Sequence, residues 1–140
     1  MSAVQHYIEH YRAAVQQHVP DELVLSVGVF THARRIDRTG ARSAWLTDDV
    51  ALAAGTSTLL AMSYRAAGME IEPIAMLASW PRADVVVSLH DGATLRVLLL
   101  VDGSELLELH SPRQLGAFDR VNDQLYRDLG LAPFSNPPGS

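Results

Sequence analysis

Cysteine and lysine are both absent from this 140-residue chain, and no uninterrupted apolar run reaches the roughly 18 residues that a membrane-spanning helix needs. Without cysteine there is no disulfide framework, thiolate nucleophile or thiolate metal site, and the composition fits a cytoplasmic protein. The opening residues, MSAVQHYIEHYR, carry polar and charged groups where a secretory leader needs an apolar core, which points the same way. With no lysine, all 11 basic side chains are arginine. GC-rich codon usage accounts for that, and we give it no functional weight. Basic groups are also in deficit, 11 against 16 acidic, and a net charge of -5 argues against general nucleic-acid binding. What the chain has is apolar content: 48% hydrophobic against 19% charged residues, enough for one core and one domain.

The first 20 residues read as a helix. Ser2 and Gln5 have capping-box spacing, Val4, Tyr7, Ile8, Tyr11, Ala14 and Val15 recur every three or four positions, and Pro20 ends the pattern. From Leu23 the period becomes two, predicting a strand through Phe30. Residues 31–49 read as a charged loop containing Gly40. The stretch 49–65 is rich in alanine and leucine, which suits a helix, but Gly55, Thr56, Ser57 and Thr58 interrupt it. Two strands, 49–54 and 58–65, joined at Gly55, are the preferred reading. Gly68 and Pro73 precede a further strand, Ile74 to Trp80.

Three strand-like runs, VVVSLH, TLRVLLLV and ELLELH, are separated by Asp91-Gly92 and Asp102-Gly103, dipeptides favoured in two-residue type I′ turns. They predict a three-stranded antiparallel meander over residues 85–110. Ser111, Pro112 and Gln114 then supply an N-cap, an N1 proline and a capping-box partner. Leu115, Phe118, Val121, Leu125 and Leu129 stripe the ensuing helix, Gly130 is its expected C′ residue, and residues 131–140 read as a disordered tail.

LAAGTSTLLAMSYR, PIAMLASWPRADVVVSLHDG and LLLVDGSELLELHSP, in this order before a last helix, resemble a bacterial pleckstrin-homology-like domain. The resemblance covers residues 21–130 and implies an α+β fold. Its architecture would be a strongly bent antiparallel sheet of about seven strands closed by a C-terminal helix, here with an additional N-terminal helix. It also implies binding or scaffolding rather than chemistry, and a basic loop after the first strand that can surround an anionic headgroup.

Catalytic motifs are weak. His6-Tyr7-Ile8-Glu9-His10 matches the H-x-x-E-H pattern of inverted zinc peptidases, and helical spacing puts His6 and His10 on one face, but no third ligand can be identified. With two-residue turns, Ser88 opposes Leu95 and Leu95 opposes His110. Ser88 and His110 then lie about 9 to 10 Å apart by strand spacing, too far for a nucleophile–base pair. Asp48-Asp49, Asp102, Glu105 and Glu108 show no convergence.

Two surfaces remain. Arg34, Arg35, Arg38 and Arg42, against Asp37 alone within residues 34–42, form a basic patch suited to phosphate oxygens or an acidic partner. In the same meander register, Val85, Val87, Leu89, Leu98, Leu100, Leu107 and Leu109 share one face. The opposite face carries Val86, Leu95, Val97, Leu99, Val101 and Leu106, of which Val86, Leu95, Val97, Leu99 and Leu106 form a candidate apolar interface. The expected function is a non-catalytic binding or adaptor module acting through protein contacts or self-association. No cofactor or nucleic acid is expected, and membrane contact is at most peripheral. The alternatives are anionic-ligand or lipid-headgroup binding through the basic loop, and a small metal-dependent hydrolase using His6, Glu9 and His10.

Overall fold

The computed structural model describes residues 3–92, 94–111 and 120–131. It opens with α1 (Ala3–His18), which stops just before Pro20 as proline's missing N–H demands. Gln16 then builds the turn into the sheet: its amide N–H group donates to Val19 O and Glu22 O, and its oxygen accepts from Val24 N–H.

Five strands follow: β1 (Val24–Ile36), β2 (Arg42–Ala44), β3 (Val50–Gly55), β4 (Thr58–Ala67) and β5 (Glu70–Pro81). After a 3₁₀ turn at Arg82–Asp84 come β6 (Val85–His90), β7 (Arg96–Val101) and β8 (Glu105–His110), and then α2 (Asp123–Asp128). Every pairing is antiparallel, in the order β5-β4-β3-β1-β8-β7-β6 with β2 added on β1. The class is α+β. Among the described residues no helix is long and apolar enough to cross a membrane.

One strand joins the two halves of the sheet. Val24–Phe30 of β1 pair with β3, whereas Thr31–Ile36 pair with β8. Where the strand changes partners, an extra residue lies between Thr31 and Arg34, and His32 takes φ 52°. Such a bulge bends a strand and re-aims it. The halves consequently face one another: Phe30, Val50, Leu52 and Leu59 from one meet Val97, Leu99, Leu107 and Leu109 from the other, with Leu125 and Tyr126 of α2. On the far side of β1, β3 and β4, Tyr11 and Val15 of α1 pack on Val27, Val29, Ala51, Ala53, Leu60 and Met62.

β3 is therefore covered on both faces, and all six of its residues are buried. Two close-packed faces explain why VALAAG does not alternate and why small side chains recur in it. Residues 49–65 are strands, not a helix. Pro73 sits within the edge strand β5 beside a register shift, where its missing N–H costs no ladder bond.

Three expectations are corrected. The charged segment after Phe30 is not a loop: β1 continues to Ile36, turns at Asp37–Ala41 and returns as β2. Asp91-Gly92 is not a two-residue turn either. His90 pairs with Arg96, leaving a five-residue connection in which Leu95 is buried. This three-residue shift, an odd number, exchanges the faces of β7 relative to β6. Val97 and Leu99 consequently point into the core with Val85, Val87 and Leu89. Asp102 and Gly103 do take the positive φ of a type I′ turn (51° and 68°), with Ser104 N–H donating to Val101 O, but the ladder resumes one residue later, at Val101↔Glu105.

At the chain's end, Val121 and Leu125 are buried as expected, and α2 packs on β1 and β3. It closes in a Schellman motif, Gly130 N–H donating to Arg127 O and Leu131 N–H to Tyr126 O. Leu131, expected in a disordered tail, is thus held against α2, while Ser2, Pro112, Gln114, Leu115, Phe118 and residues 132–140 lie outside the described residues.

Candidate functional site

The outer face of β6, β7 and β8 has its back to the core, and register sets what it displays. Val86, Leu100 and Leu106 form one row, Ser88, Leu98 and Glu108 the next, and His90, Arg96 and His110 a third. Val86 is 64% exposed, and Leu98, Leu100 and Leu106 are half-buried.

Within this apolar surface lies one charged cluster. The Glu108 carboxylate is only 1% exposed. Arg42 of β2 grips it with two donors, Nε to Oε1 at 3.0 Å and Nη2 to Oε2 at 3.2 Å. Arg96 Nη1 adds a contact to Oε2 at 3.1 Å, and His110 Nε2 lies 3.1 Å from Oε1. Burial alone would raise the Glu108 carboxyl. The hydrogen bonds from Arg42, His110 and Arg96, together with the charge of Arg42, outweigh it and hold the group at about 2. A carboxylate so low and so fully engaged is a fixed anion, not a general acid or base at neutral pH. Its role here is to tie β2 to β7 and β8. His110 is held in turn by Thr94 Oγ1 at 3.1 Å, and the His32 ring meets its ring edge to face.

The four candidate arginines are distributed along the β1–β2 hairpin. Arg34 Nη1 contacts Asp48 at 2.6 Å, Arg35 Nη2 contacts Glu105 at 3.0 Å, and Arg42 holds Glu108. Only Arg38, at the exposed tip, makes no ion pair among the described residues. Beside it, the fully exposed Asp37 carboxylate accepts from the Thr39 hydroxyl, Thr39 N–H and Ala41 N–H, which lowers its pKa and fixes the turn.

The five residues of the candidate apolar interface separate. Leu95, Val97 and Leu99 are in the core, 7%, 1% and 1% exposed, because the register at residues 91–95 differs from the expected one. Val86 and Leu106 stay on the outer face, where Leu98 and Leu100 join them.

The chemical motifs do not converge. His10 Nε2 accepts from Ile71 N–H at 3.3 Å, and Glu9 pairs with Arg12 at 3.3 Å, so both serve α1 and its docking on β5. Among the described residues no group of three or more His, Asp or Glu side chains could hold a metal ion. Ser88 Oγ contacts His90 Nε2 at 3.0 Å rather than His110, on the open sheet face.

Two positioning residues carried no local signal. Asn122 pairs with the backbone of Val29, and Arg82 donates to Gly55 O at 3.0 Å and to Asp128 O, joining the β3–β4 turn to the end of α2. No protein-family model matches the sequence, and no curated protein is significantly similar to it.

Proposed function

We propose that this is a non-catalytic, pleckstrin-homology-like binding module of the cytoplasm, acting through protein contacts on the outer face of β6–β8. The bent antiparallel sheet with α2 packed at the end of the chain supports the architectural reading. The observation that carries the functional reading is the apolar surface of Val86, Leu98, Leu100 and Leu106 around the fixed Glu108 cluster. Half-exposed aliphatic side chains give a partner apolar area to bury, while immobilised charges supply orientation without ordering cost. Headgroup binding is less well supported, since Arg34, Arg35 and Arg42 already engage carboxylates.

The test is quantitative affinity capture from the source cell with the wild-type chain and with Leu98→Glu/Leu106→Glu. A partner bound by the first and lost by the second, at equal melting temperature, supports the reading. Equal capture by both rejects it.

A further inference from the structure

We infer that β6 is an assembly edge, at which two copies of this chain pair antiparallel about a twofold axis through Val87. The inference concerns self-association through the backbone edge of β6 and its core-facing side chains; Val86 belongs to both surfaces, and sedimentation of the purified chain reads pairing of copies separately from capture of another protein.

The sheet's free borders are unequal. β5 carries Pro73, Glu70, Glu72 and two register breaks against β4. β2 is only three residues long and includes Arg42. These are the features that keep an edge strand from pairing with another chain. β6, Val85-Val86-Val87-Ser88-Leu89-His90, has no proline, no Asp, Glu or Arg and no register break against β7, and among the described residues no strand lies on its other side. Its core-facing Val85, Val87 and Leu89 are only half-buried, whereas Val97 and Leu99, one strand further in, are each 1% exposed. That deficit is what a further strand would fill.

Side-chain parity then selects the pairing. A twofold axis perpendicular to the sheet keeps core-facing residues opposite core-facing residues only if a residue sits on the axis. Centred on Ser88, Val85 would face the partner's Asp91. Centred on Val87, Val85 faces the partner's Leu89, Val87 faces the partner's Val87, Val86 faces the partner's Ser88, and Asp84 meets the partner's His90. Of these two registers, only the second keeps the core-facing row of β6 apolar throughout, and a second copy of the chain supplies it without any other partner.

Sedimentation velocity of the full chain across a concentration series tests the proposal. The expected result is a reversible monomer–dimer equilibrium whose dissociation constant rises at least about tenfold in Val86→Lys/Ser88→Lys, which places lysines opposite one another across the axis. Because the chain has no cysteine, Val87→Cys is also informative. It should form an interchain disulfide at least about tenfold faster than Gln17→Cys on the exposed face of α1. Ser88→Cys should not, because two diagonal positions are about 7 to 8 Å apart. A wild-type monomer at every concentration up to about 1 mM, well above the range of specific self-association, overturns the inference whether or not Val87→Cys folds. So does a dimer indifferent to the two lysines, or cross-linking that favours Ser88 over Val87.

Discussion

The side-chain amide of Asn122 takes the place of a strand beside Val29: its oxygen accepts from Val29 N–H and its nitrogen donates to Val29 O, both at 2.9 Å, across 93 residues of sequence. β8 borders β1 only from Thr31 onward, so the β1 backbone before that point would be left unpaired on this side. A buried peptide group without partners is costly, and the carboxamide, a peptide group in miniature, satisfies both halves of it.

Asn122→Ala should therefore cost about 3 kcal/mol, since two buried backbone groups lose their partners together. Asn122→Asp should also destabilise at neutral pH, because its carboxylate would face Val29 O. Urea unfolding followed by circular dichroism measures both. A midpoint unchanged in Asn122→Ala would show that the amide contributes nothing to holding α2.

Glu108 makes stability pH-dependent. Its carboxyl is held at about 2 in the folded chain against 4.5 ordinarily. A depressed folded value means that the contribution is fully present above pH 4.5 and disappears as pH falls toward 2. It amounts to about 3 kcal/mol. Unfolding free energies measured from pH 7 to 2 should show this loss in the wild type. Glu108→Gln should be less stable at pH 7 and show a shallower acid decline. Parallel curves for the two proteins would count against the arrangement.

Two glycines should respond for different reasons, and a third should not. A Cβ on Gly28 would lie 2.6 Å from Leu125 Cδ2 and 3.1 Å from Asn122 Oδ1, so Gly28→Ala should push α2 off the sheet and cost about 1 to 3 kcal/mol. Gly103, at φ 68°, has open space around it but a backbone conformation unfavourable to valine, and Gly103→Val should cost more than about 1 kcal/mol. Gly92→Val should be nearly neutral, because the nearest atom is 3.8 Å away and no left-handed backbone is required. Thermal melts of the three variants test this ranking.

Arg82→Ala should cost about 1 to 3 kcal/mol by releasing Gly55 O and Asp128 O, and Arg82→Lys should recover only part of the loss, since one ammonium cannot reproduce a guanidinium fork. Full rescue by lysine in a chemical melt would show that charge alone matters there.

The parts of the fold legible in the sequence are those written locally. Pro20 after an apolar stripe, Gly55 between two apolar runs, and Gly130 after Leu129 each act on their own neighbourhood. The continuation of β1 is hidden in the sequence because Arg34 and Arg35 resemble a solvated loop, while Glu105 of β8, which Arg35 meets, is 70 residues away. At Asp91-Gly92 the local turn signal points to a meander register that the chain does not adopt, yet the charges carry a check. Two-residue turns put Arg96 among the leucines of one face and Glu108 on the other, whereas the observed pairing gathers Arg96, Glu108 and His110 on the outer face. The same shift carries Leu95, Val97 and Leu99 of the expected apolar interface into the core.

The sharing of β1 between the two halves of the sheet also bears on the order in which the chain can be built. As it leaves the ribosome, the segment Val24–Phe30 finds β3 within some 25 residues, but Thr31–Ile36 must wait for β8, about 75 residues later, and Val29 waits longer still for Asn122. Loop-closure entropy makes such distant pairings late and slow. A nascent chain arrested after β5 should therefore protect Val50–Met62 from protease while remaining cleavable at Arg34 and Arg35. Completion of residues 82–140 should then supply β8 and α2 and close the two halves of the sheet on one another.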